Sequence, residues 1–298
     1  MGPWEYVGIF EYPDLEAAFR VLAKIACPGA VGDHRSGDAG GKESSAAAIN
    51  ERGQIVGWSN TKAGSTIRHA FLWQAGKMRD LGSLAGSSWA ADINDRGQAV
   101  GSSVGRAKNS EGNRIAHAVL WQSGRMLDLT PTAKLVPLDC YGDGSEGSCY
   151  ASADWVNGRG QVVVSMTSNQ SGNLHIDRAF LWQGGKLTAL PTLGRLGWAS
   201  IWPSAINDRG QVVGASETGT KVPVGGDILL VHAFLWQNGK MTDLGTLPGV
   251  RESTASSVNE RGEIAGWSGN SFREGIGAHC AVWEKGKVPT SLCPEARV

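Results

Sequence analysis

Short runs in which apolar and polar residues alternate follow one another along residues 46–292, and most are closed by Asn, Asp or Gly. Alternation with a period of two marks strands with one buried face. The first clear pair flanks Asn50-Glu51-Arg52-Gly53, with Ala46-Ala47-Ala48-Ile49 before it and Ile55-Val56-Gly57 after it. Asparagine suits the first position of a type I turn, and glycine supplies the positive φ that rejoins the second strand. A second pair runs from His69-Ala70-Phe71-Leu72-Trp73 through Ala75-Gly76 into Lys77-Met78. In later copies that turn is Ser123-Gly124, Gly184-Gly185 or Asn238-Gly239, which predicts a tight two-residue hairpin.

The two hairpins form a unit used five times. The first half returns at Asn94, Asn157, Asn207 and Asn259, at intervals of 44, 63, 50 and 52 residues, and the second half returns around Trp121, Trp182, Trp236 and Trp283. Two hairpins give four antiparallel strands per unit, and five such units arranged radially predict an all-β, five-bladed β-propeller over residues 46–292, leaving 293–298 as a tail. Residues 1–45 lie outside the repeat and predict a strand near Trp4–Tyr12, a helix over 15–26 and a Gly-rich linker over 29–44, which would cap the ring or add an edge strand to the last blade.

Composition narrows the reading. Glycine fills 42 of the 298 positions, about twice the usual share of roughly 7%, which disfavours long helices. Twenty-eight basic side chains balance 28 acidic ones, so no overall basic field points to nucleic acid or anionic lipid. No apolar run reaches the ~18 residues of a membrane span, and the first residues lack the basic start and apolar centre of a secretory signal. Five cysteines are too few for a disulfide framework, but Cys140 with Cys149, and Cys280 with Cys293, are two expected pairings in an oxidising compartment.

The paired motifs, fullest as Ile206-Asn207-Asp208-Arg209-Gly210-Gln211-Val212-Val213-Gly214 followed by His232-Ala233-Phe234-Leu235-Trp236-Gln237-Asn238-Gly239-Lys240-Met241, resemble the HAF repeat family of probable extracellular repeat proteins. The resemblance spans most of the chain and implies a repeat fold and an extracellular location, but no activity. Unit three departs from the pattern at Val164 and Arg178, and unit five at Ala281.

In a four-stranded meander the two repeated turns share one end of the unit, and the connections 59–68, 103–116, 165–177, 216–231 and 268–278 share the other with the joints between units. Variable connections on a rigid scaffold are where binding sites are commonly presented. Trp58, Trp89, Trp202 and Trp267 stand outside the repeat pattern at that end; with Tyr150, Trp155 and Trp198 they form a candidate aromatic rim suited to stacking on a sugar, an aromatic or a cation, although packing between blades is the plainer role. The repeated tryptophans Trp73, Trp121, Trp182, Trp236 and Trp283 read as core. His69, His117, His232 and His279 read as partners of Asp80, Asp128 and Asp243 in a structural hydrogen-bond network, set too far from the axis to share a metal.

Acidic residues outside the repeat supply the candidate catalytic groups: Asp92 and Asp154 on first strands, and Asp139, Asp143 and Glu146 in the longest joint. Paired carboxylates perform acid and base steps on a glycosidic bond, but fold does not dictate activity. The sequence therefore points first to a non-catalytic recognition propeller that binds a small molecule, glycan or peptide on the variable end. The alternative is a propeller enzyme of glycoside hydrolase or lyase type, and a purely structural or protein-binding scaffold is the third reading. No cofactor or metal is expected, nor a nucleic-acid or membrane partner, and a monomer is the expected state.

Overall fold

A computed structural model of the chain describes residues 43–108, 114–130, 150–170, 174–194, 199–221, 229–270, 278–284 and 290–291. Among these residues the protein is all-β, with twenty strands and no helix. Unit one contains β1 (Ser44–Ile49), β2 (Ile55–Asn60), β3 (Arg68–Gln74) and β4 (Lys77–Gly82); unit two contains β5 (Ser88–Ile93), β6 (Ala99–Lys108), β7 (Arg114–Gln122) and β8 (Arg125–Asp128). Unit three contains β9 (Tyr150–Val156), β10 (Val162–Gln170), β11 (Leu174–Gln183) and β12 (Lys186–Leu190). Unit four contains β13 (Ile201–Ile206), β14 (Val212–Lys221), β15 (Leu229–Gln237) and β16 (Lys240–Gly245), and unit five contains β17 (Glu252–Val258), β18 (Glu263–Gly269), β19 (His279–Glu284) and β20 (Thr290–Ser291). Every unit is an antiparallel meander, and a parallel bridge between Ala116 and Tyr150 joins units two and three into one sheet.

The turn chemistry is as the sequence predicts. Gly53, Gly97, Gly160, Gly210 and Gly262 take positive φ, and each donates its N–H to the carbonyl of the asparagine three residues earlier. In the second hairpin both central residues have positive φ, as at Asn238 (51°) and Gly239 (81°), the geometry that follows the twist of the flanking strands. One expectation changes. Much of the connections predicted over 103–116, 165–177 and 216–231 is strand, because β6 with β7, β10 with β11 and β14 with β15 pair out to Lys108, Gln170 and Lys221. Val104, Ile115, Met166, Ile176 and Val231 carry apolar alternation into those arms and give them something to bury.

Hydrophobic clusters fill the four successive spaces between units. Val56, Leu72, Ala99 and Trp121 pack between units one and two; Val100, Leu120, Ala153 and Val164 between two and three; Leu181, Val212, Phe234 and Trp236 between three and four; Val213, Leu244, Ile264 and Trp283 between four and five. Of the repeated tryptophans, Trp121, Trp236 and Trp283 are buried, whereas Trp73 and Trp182 are half-buried.

The repeated turns tie these units together. Asn157 Oδ1 accepts the N–H groups of Arg159 and Gln161, while its amide donates to Gln161 Oε1 at 2.7 Å and to the Asn207 carbonyl at 2.9 Å. Asn50, Asn94 and Asn207 reach the next unit in the same way. The acid after the asparagine adds a second bond, since Asp95, Asp208 and Glu260 accept the N–H groups of Glu51, Gly158 and Asp208. This ladder ends at Asn259, which is exposed and bonds Glu263. The predicted strand near 4–12, the helix over 15–26, Cys140, Cys149, Cys293 and the tail lie outside the described residues; Cys280 is exposed on β19, opposite Trp267.

Candidate functional site

At the end opposite the asparagine turns, the first two strands of each unit place one cross-strand pair at the same level. The pairs are Ser45 with Trp58, Trp89 with Ser102, Ser152 with Ser165, Trp202 with Ala215, and Thr254 with Trp267. Directly opposed residues share a face of the sheet. In four units a half-buried indole is thus set beside a small partner. In unit three both partners are serines, and both donate to the carboxylate of Asp154, which occupies the bulge of β9.

These indoles have defined neighbours. Trp89 lies against Tyr150 with ring centroids 6.3 Å apart and donates Nε1–H to its hydroxyl at 3.0 Å, while the same hydroxyl is 2.8 Å from Ser102 Oγ. Trp202 donates to Asp177 Oδ2 at 2.6 Å, and Asp177 Oδ1 accepts from Thr167 Oγ1. The Arg68 guanidinium stands 4.0 Å from the centre of the Trp58 ring. Trp155 packs partly buried against the cluster between units three and four, and Tyr150 is 37% exposed. Trp198 lies outside the described residues, as do Asp139, Asp143 and Glu146.

The two remaining candidate acids sit in different settings. Asp92 accepts the N–H of Ile93 and, across the unit boundary, that of Val156, each at 2.8 Å. Burial raises its pKa, and the two amides oppose the rise. Burial also raises the pKa of Asp154, against the pull of Ser165 and Ser152. Both carboxyls are therefore easier to protonate than an exposed aspartate.

His69, His117 and His232 each bond an aspartate of the adjacent fourth strand, Asp80, Asp128 and Asp243, at 2.8 to 2.9 Å through Nδ1. The same carboxylates accept the N–H groups of Gly82, Thr130 and Gly245, so each pair closes the end of its unit. Among the described residues no His, Cys, Asp and Glu side chains group so as to hold a metal ion.

Sequence reasoning did not single out Asn60 or Arg68. They are the last cross-strand pair of β2 and β3 and line a cavity of about 280 Å³ with Glu43, Gly64, Ser65 and Thr66. The available signal was their place in the variable connection 59–68, beside Trp58. A second cavity, of about 260 Å³, lies at the opposite end and is lined by turn residues of all five units, among them Asn50, Asn94, Asn157, Asn207 and Glu260.

No protein-family model matches the chain, and no curated protein matches it. Among solved structures it is similar to a polysaccharide lyase of a new family, PL25 ulvan lyase, bound to -[GlcA(1-4)Rha3S]-. The identity is 12% and the TM-score 0.44, over 89% of this chain and 72% of the other. What that lyase binds is a property of the lyase.

Proposed function

We propose that the five units close into a five-bladed propeller and that the protein is a non-catalytic recognition module, holding a glycan or similar polar small molecule at the variable end through Trp58, Trp89, Tyr150, Trp202 and Trp267. Trp155, beside the Asn157 turn and packed between units three and four, is left out of that rim. The observation that carries this reading is the single level at which four units each set one half-buried indole beside a small side chain. Flat apolar rings with polar groups at their edges suit the mixed faces of a sugar. Support for closure comes from the cavity lined by turns of all five units. Kinship with the HAF repeat family, and the extracellular location it implies, belong to the same proposal.

Tryptophan fluorescence titrated against a panel of glycans and metabolites tests it: a saturable change with one class supports recognition, and no change across the panel contradicts it. One observation favours an enzyme instead. Asp154, in the bulge of β9, is bonded by the two serines that hold the level tryptophan takes elsewhere, and its carboxyl is biased toward the protonated form a general acid needs. On that reading Asp154→Asn abolishes turnover of a bound glycan; on the recognition reading it leaves the glycan intact and bound.

A further inference from the structure

We infer that the cavity of unit one is the primary subsite and takes a single neutral hexopyranose unit; this rests on the recognition reading above and names its ligand class. Asn60 is 7% exposed and lines the cavity; its Oδ1 has no hydrogen-bond partner and almost no accessible surface, so a ligand's donor reaches it once the side chain turns toward the cavity. That turn is favoured because a buried acceptor left unpaired carries a desolvation penalty that the donor removes. Opposite Asn60 across β2 and β3, Arg68 rests over Trp58, a stack that presents the guanidinium N–H donors at its edge. Arg68 Nη2 also stands 3.5 Å from Glu43 Oε2, with both side chains substantially exposed. So long and exposed a pair is weak and readily opened by a competing group.

The lining thus offers an acceptor, a forked donor and a second acceptor, with an aromatic ring behind the donor. Adjacent sugar hydroxyls, each both donor and acceptor, match that series. Arg68 and Glu43 cancel in charge, so a neutral ligand leaves neither unpaired, whereas a uronate would take Arg68 and leave the Glu43 carboxylate facing a like charge. A volume of about 280 Å³ sits at the lower bound of ligand pockets, which are roughly 300–1,000 Å³, and suits one ring. Gly64, at φ +76°, turns the 61–67 connection, and the Ser65 hydroxyl accepts the Ile67 N–H, which holds the wall in place.

The test is a calorimetric titration of the full chain with methyl glycosides of neutral hexoses and with the matching uronates. At least one neutral glycoside binds at least tenfold more tightly than its uronate, and Asn60→Leu and Arg68→Ala each weaken it by tenfold or more. Arg68→Lys, a milder change at an exposed position, weakens it severalfold by losing the fork, and keeps the test open should Asn60→Leu fail to fold. Saccharide binding untouched by these substitutions but lost on Trp89→Ala or Trp202→Ala overturns the subsite and leaves the recognition reading standing. A preference for the uronate overturns the ligand class. Silence toward every saccharide overturns both.

Discussion

The two ends of the repeat unit solve opposite problems with similar material. At the turn end, asparagine, glutamine and the following acid spend their polar atoms on one another and on the next unit, so that the Asn157 side chain alone makes four hydrogen bonds. At the aromatic end, large rings stay half-exposed and a buried acceptor, Asn60 Oδ1, goes unpaired. A polar group that is satisfied internally contributes to assembly, and a buried one left unsatisfied carries a desolvation cost that a ligand's donor relieves. Substitutions at the two ends should therefore separate stability from binding.

The largest effect is expected at the turn end. Asn157→Ala strands the N–H groups of Arg159 and Gln161 and the carbonyl of Asn207, and should cost about 3 to 4 kcal/mol in calorimetric unfolding. Ligand binding by the protein that remains folded should be unchanged. Gly214→Ala, next to the Trp202–Ala215 pair at the aromatic end, should cost about 2 to 3 kcal/mol through backbone packing alone, because a Cβ there would clash with the Trp202 carbonyl oxygen. A measured loss below about 1 kcal/mol for Asn157→Ala would contradict this separation of stability from binding.

Asp154→Asn should act in the opposite direction, stabilising the protein by on the order of 1 kcal/mol at neutral pH. A carboxyl whose pKa is raised by burial costs stability when ionised, so the gain should grow as pH rises through the folded pKa and fade below about 3.8. The smallest effect concerns His232 and Asp243. Burial disfavours the imidazolium, but the bond and charge of Asp243, with the Arg251 carbonyl and Glu252, raise the His232 pKa overall. Burial likewise opposes ionisation of Asp243, and His232 with the Gly245 N–H outweighs it. The pair's contribution is present below about 6.5, where unfolded His is already charged, and is lost as pH rises through the higher folded pKa; on the acid side it is lost as pH falls below about 3.8. Both side chains are partly exposed, so Asp243→Asn should cost under 1 kcal/mol, most between those limits.

Much of this architecture was legible in the residues because turn chemistry is local. Asn50 and Gly53 dictate one hairpin, and Asn238 and Gly239 another, without reference to anything distant. The histidine and aspartate pairs were legible too, since both partners recur at fixed positions. What the pattern did not carry were contacts made between units. Nothing local to Asn157 specifies that its amide reaches Asn207, and nothing near Trp89 specifies that its indole meets Tyr150, 61 residues away. Asn60 escaped notice because an isolated polar residue at a strand end looks like any solvated one until its burial is known.

A ¹⁵N correlation spectrum recorded with and without saccharide reads both ends at once, through the indole N–H signals and the side-chain amides of the turn asparagines. Shifts in the Trp58 indole and the Asn60 amide, with the Asn50, Asn94, Asn157 and Asn207 amides unmoved, are the predicted result. Shifts confined to the turn asparagines, or none at saturating saccharide, would contradict it.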